Sequence, residues 1–90
     1  LNAADTQVQA IRRLVIEKGL RSLPPALQEI AQLRLDNTDL SLTELGQLHE
    51  PPLSKSAVNH RMRRLMEIVR QLEEEAEQAN DSIDIQEDML

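Results

Sequence analysis

Residues 41–65 read SLTELGQLHEPPLSKSAVNHRMRRL, and this stretch decides the fold. Ser41-Leu42-Thr43-Glu44 has the form of a capping box, in which the Ser hydroxyl accepts from the Glu44 N–H and the Glu carboxylate reaches back. It opens a short helix whose Leu42, Leu45 and Leu48 share a face. Gly46 removes side-chain bulk where another helix approaches. Pro51-Pro52 ends that helix, since the residue before each proline is pushed to extended geometry. Ser54 then caps a second helix. Two helices joined by a turn, the second rich in cations, form the layout of a helix-turn-helix. The 49–54 linker exceeds the three or four residues usual for that motif.

The second helix carries the strongest periodicity in the chain. Val58, Met62, Leu65, Val69, Leu72, Ala76 and Ala79 recur at alternating steps of four and three. Upstream, Val8, Ile11 and Val15 recur at helical spacing, with Leu14 and Ile16 beside them. Asp5 or Thr6 is the expected N-cap there, and Gly19, which tolerates positive φ, suits the far end. Pro24-Pro25 fits a helix start, where a missing N–H costs nothing. Leu27, Ile30, Ala31 and Leu35 make its apolar stripe, and the polar cluster Asp36-Asn37-Thr38-Asp39 closes it. The chain holds no Phe, Trp, Tyr or Cys, so its core must come from aliphatic residues, Met and Ala. No alternating strand pattern is present. The expected fold is all-α, a small bundle of about four helices. Leu45 and Leu48 are expected against Val58 and Met62, with Ile11, Val15, Leu27 and Ile30 completing the core. Residues 1–79 form the helical domain, with the helix-turn-helix at about 41–71, and residues 80–90 are expected to be an acidic, flexible tail.

The formal charge of −6 argues at first against a nucleic-acid partner. Its distribution reverses that reading. Residues 1–70 hold all ten Lys and Arg against eight Asp and Glu, whereas residues 71–90 hold eight acids and no base. On the last helix the face opposite the apolar stripe displays Ser56, Asn59, His60, Arg63, Arg64 and Glu67, flanked by Lys55 and Arg61. Arg63 has the geometry to bond guanine O6 and N7, and Asn59 to pair similarly with adenine. Lys55, Ser56, Arg61 and Arg64 suit phosphates, which fix register without reading sequence. A merely solvated helix face also carries such cations. Glu67, four residues after Arg63, is placed to form an i,i+4 pair with it.

Other chemistry finds little support. Absence of cysteine excludes disulfides and thiolate metal sites. His49 and His60 are too far apart for one helical face, so no metal is expected, and no cofactor motif is present. With Gly19 and Gly46 as the sole glycines there is no phosphate loop, and no nucleophile arrangement is visible. The chain is therefore not read as an enzyme. His49 is expected at the surface or its boundary. No apolar run approaches the ~20 residues of a membrane span.

The segments LPPALQEIAQLRL, SLTELGQL and EPPLSKSAVNHRMRRL together resemble the C-terminal domain of the bacterial WhiA family. The resemblance covers roughly residues 20–70 and extends to the first helix. It implies a cytoplasmic, nucleoid-associated DNA-binding protein linked to cell division and chromosome segregation, and in sporulating species to transcription. It also implies an upstream domain like the LAGLIDADG homing endonucleases, without nuclease activity, and a helix-turn-helix like region 4 of sigma factors. Lys55, Ser56, Asn59, His60 and Arg61 match the family's SKS.VNHR motif, while Arg63 and Arg64 fall in its more variable basic continuation. Double-stranded DNA is the implied partner. The rival reading is a dimerisation or docking module that uses the long last helix against RNA polymerase or a sigma factor.

Overall fold

The computed structural model describes the backbone of residues 3–89 and the side chains of residues 3–78. Among the described residues the fold is all-helical: α1 (Ala3–Glu17), a 3₁₀ turn (Leu20–Ser22), α2 (Pro25–Asp36), α3 (Leu42–Gln47) and α4 (Lys55–Met89). α4 is the spine, and each of the other three helices packs against it. One core joins Ile11 and Leu14 of α1 and Leu23 after the 3₁₀ turn to Leu27, Ile30 and Ala31 of α2. Leu45 of α3 and Val58, Met62, Leu65, Val69 and Leu72 of α4 complete it. Burying a Val, Leu, Ile or Met side chain contributes ~1.5–3 kcal/mol, so the eleven such residues of this core hold a bundle without aromatics.

The helix ends follow from local chemistry. Pro24 and Pro25 open α2 without costing an N–H. Ser41 and Glu44 form the complete capping box of α3, with the Ser41 N–H donating to Glu44 at 3.0 Å and the Glu44 N–H to Ser41 at 3.1 Å. Those contacts hold the Glu44 carboxyl below its usual range, the backbone N–H of Ser41 first and its hydroxyl second. Ser54 Oγ accepts the Ala57 N–H and so caps α4. Gly19 takes φ +82°, a conformation L side chains rarely adopt. α1 begins at Ala3, ahead of the cap expected at Asp5 or Thr6.

Two expected core residues lie at the surface instead. On α1 the buried positions are Val8, Ile11 and Leu14, an i, i+3 row, and Val15 is 37% exposed. The contact seam follows that row, so Leu14 rather than Val15 shares a groove with Ile68 and Leu72 of α4. On α3 Leu45 is fully buried but Leu48 is 46% exposed. Leu48 is the C-cap, where the chain already turns away, and His49 takes the buried place beyond it.

His49 thus departs from its expected surface position for a physical reason. Its Nδ1 lies 2.9 Å from the Leu45 carbonyl and, as donor, adds a second hydrogen bond to that acceptor, which also takes the Leu48 N–H at 3.1 Å. Its Nε2 lies 3.4 Å from a Glu29 carboxylate oxygen without a hydrogen bond. Arg34 is equally buried, which pushes its guanidinium below the ordinary value. Nη1 donates to the Leu40 carbonyl at 2.6 Å and the Asn37 carbonyl at 3.2 Å, clamping the α2–α3 turn. A charge can be buried there because those carbonyls are fixed and need a donor.

The backbone of α4 is helical past Ala79, through Met89. The side chains of the expected tail, residues 80–90, and its flexibility lie outside what is described.

Candidate nucleic-acid interface

The turn before α4 sets where its basic face points. Seven residues, 48–54, separate α3 from α4. The Glu50–Pro51 bond within this turn is cis. The Leu53 N–H donates back to the Gly46 carbonyl at 2.9 Å, pulling the turn onto α3. A Cβ on Gly46 would land on the Leu53 carbonyl oxygen, with Val58 Cγ2 3.2 Å away. The glycine therefore admits the turn backbone as well as the neighbouring helix.

At ~100° per residue, the core stripe of α4 fixes its outer face. His60 stands opposite the stripe, between Ser56 and Arg64, and all three are exposed. Lys55 and Arg63 are also exposed. Asn59 and Arg61 are half-buried and lie on opposite flanks of the helix, so they do not share one surface. His60, Arg63 and Arg64 line one shallow groove along α4 with Glu67, Ile68 and Gln71. Arg61 instead turns toward α2, where it lines a groove with Pro24, Ala26 and Leu27.

The electrostatics answer the question raised by Glu67. Its carboxylate takes two hydrogen bonds from Arg70, at 3.1 and 2.5 Å, rather than one from Arg63. Arg70 also bonds Glu74. The Arg70 hydrogen bonds hold the Glu67 carboxyl below its usual range, and Glu67, with Glu74, pushes the Arg70 guanidinium up. Arg70 is thus committed one turn beyond the basic face. Lys55, Arg61, Arg63 and Arg64 form no ion pair among the described residues. Four unpaired cations within ten residues create a local positive potential on a chain of net negative charge.

These residues lie in a helix-turn-helix within a four-helix bundle, and comparison with known proteins places it. The model of the WhiA C-terminal helix-turn-helix domain matches residues 1–69. The chain belongs to the WhiA family. Similar relatives include the probable cell division protein WhiA of Lactococcus lactis subsp. cremoris, 52% identical over 65 residues. The WhiA of Carboxydothermus hydrogenoformans is 55% identical over 65 residues, and each of these matches covers 72% of this chain and 21% of the relative. The WhiA of a Thermoanaerobacter species is 47% identical over 74 residues, covering 82% of this chain and 23% of the relative. Among solved structures, that of full-length "DUF199/WhiA from Thermatoga maritima" superposes with a TM-score of 0.69 at 34% identity, covering 76% of this chain and 23% of that one. The chain thus spans about a fifth of the length of the curated WhiA relatives it matches.

Two features of this WhiA domain escape sequence reading. The capture of Glu67 by Arg70 rather than Arg63 depends on rotamers, because both cations lie at permitted helical spacings. The approach of the α2 start to Arg61 is a long-range contact with no local signal.

Proposed function

We propose that this chain binds duplex DNA by laying the first three turns of α4 in the major groove. The single observation that carries the reading is the set of cations Lys55, Arg61, Arg63 and Arg64, unpaired among the described residues, with Glu67, the acid on the same helix face, held by Arg70. Ser56, His60, Arg63 and Arg64 face outward for the groove. Arg63 reads guanine and Asn59 adenine from the edge of that face, while Lys55, Ser56, Arg61 and Arg64 hold phosphates. The relatives' names support a role in cell division. The family resemblance adds chromosome segregation and, in sporulating species, transcription, with the protein acting at the nucleoid in the cytoplasm.

The test is binding of the 90-residue chain to duplex DNA across a salt series. Each phosphate contact adds ~0.9 to the slope of log affinity against log salt. The triple change Lys55→Ala, Asn59→Ala, Arg63→Ala is expected to lower both affinity and slope. Unchanged affinity and slope would refute the reading.

A second reading rests on a separate observation. Among the described residues Leu72 is the last in the core, and the α4 backbone is helical to Met89. In that reading the extension is a docking or dimerisation rod, with RNA polymerase or a sigma factor as partner, and partner binding survives loss of Asn59 and Arg63.

A further inference from the structure

The start of α2 forms one wall of a groove whose other wall is α4. Pro24, Ala26 and Leu27 line the first wall, and His60, Arg61 and Arg64 the second. Among the described residues no carboxylate lines this groove, and neither Arg61 nor Arg64 is in an ion pair. Beyond Arg61 the surface changes sign, because the adjoining groove carries Glu29 and Glu50 with His49. The positive potential is therefore bounded, confined to the strip between the α2 start and the outer face of α4. From these observations we infer that this groove seats a backbone phosphate of duplex DNA, on the strand that runs beside α2 when α4 occupies the major groove. The inference rests on the DNA-binding reading above. It adds to the helix-turn-helix a groove wall from the start of α2, outside the motif.

The steric fit supports a phosphate rather than a base. A helix lying in the major groove has a phosphate backbone on each side. Arg61, on the flank of α4 facing α2, points to one backbone and cannot share a base edge with Arg63 on the other flank. The α2 wall is small and uncharged at Ala26, which is exposed, so that wall leaves Arg61 and Arg64 open to a phosphate, while Glu29 and Glu50 lie in the adjoining groove that Arg61 and Ala26 also line.

The discriminating position is Ala26, because it is exposed and lies outside the core cluster. An acid in the first turn of a helix is tolerated or favoured, so Ala26→Glu leaves α2 folded, as far-UV circular dichroism will show. It nevertheless places a carboxylate beside Arg61 and Arg64. The expected result is a loss of roughly fivefold to tenfold in affinity for duplex DNA at about 50 mM salt, shrinking as salt rises. Ala26→Lys is expected to strengthen binding. A purely structural disturbance would move both variants the same way. Gln78→Glu adds the same charge about 21 Å along α4 from Arg64 and is expected to change little. Arg61→Gln is expected to lower the salt slope by about one phosphate. If both Ala26 variants bind like the parent chain while the Lys55, Asn59, Arg63 triple variant loses binding, the groove is not a phosphate seat and the DNA reading stands. If the parent chain itself binds no duplex across the salt series, the DNA reading falls and this inference falls with it.

Discussion

Replacing Gly46 by alanine tests how the helix-turn-helix is held together. On an exposed helix the change would stabilise the protein by ~1 kcal/mol, because alanine is the better helix former. The structure reverses that sign. The new methyl carbon lands on the Leu53 carbonyl oxygen and comes within 3.2 Å of both the Leu53 carbonyl carbon and Val58 Cγ2. The first two atoms are backbone and cannot rotate away. Relief requires moving the 48–54 turn off α3, which stretches the 2.9 Å bond from Leu53 N–H to Gly46 O. Overpacking of this kind costs ~1–3 kcal/mol and the strained hydrogen bond about 1 kcal/mol more. Set against the propensity gain, the net is about 2 kcal/mol of destabilisation. For a domain this small each kcal/mol moves the melting temperature by ~4–8 °C. Gly46→Ala should therefore melt ~8–16 °C below the parent chain in thermal circular dichroism, with two-state behaviour checked by urea unfolding. A variant that melts at or above the parent would refute the close approach of the turn to α3.

Two further outcomes follow from the helix ends and from the acidic extension. Ser41→Ala removes the cap of α3 and is expected to cost ~1 kcal/mol in urea unfolding at neutral pH. Glu44 should make that end pH-sensitive: because the folded state depresses its carboxyl, its contribution is present above the ordinary value of ~4.3 and is lost as pH falls through the lower folded value. The stability deficit of Glu44→Gln should accordingly close in acid, and a deficit that widens below pH ~4 would contradict the capping box. Deleting residues 73–90 should strengthen DNA binding at low salt. Glu73 lies nine residues beyond Arg64, ~13 Å along the helix, inside the ~30 Å screening length at about 0.01 M salt but outside the ~8 Å at about 0.15 M. Unchanged or weaker binding at low salt would count against an inhibitory extension.

Much of the fold was legible because local chemistry decides it. The capping box at Ser41 and Glu44, the prolines opening α2, the Ser54 cap and the stripe from Val58 to Leu72 are encoded within a few residues of where they act. Periodicity was less able to choose between neighbours. It marked Val15 as inward with Leu14 only beside it, and both Leu45 and Leu48 as inward; crossing geometry buried Leu14 in place of Val15, and helix termination left Leu48 exposed. Arg34 and His49 carried no sequence signal of burial, since what makes their burial tolerable is a set of carbonyls fixed by the fold: Asn37 and Leu40 for Arg34, Leu45 for His49.

The same division holds at the interface. By itself the sequence determined that Arg63 and Arg64 of α4, with Ser56 and His60, stand on the side away from the core, because helical spacing and an apolar stripe leave no other face for them. It also determined that the acid lies beyond residue 70. Only the tertiary structure decided which cations are unpaired, through the partnership of Glu67 with Arg70. It alone brought Pro24 and Ala26 to Arg61. The physical reason is range. Caps and stripes act over one or two turns of chain, whereas charge pairing and groove walls depend on side chains brought together by packing from segments some thirty-five residues apart.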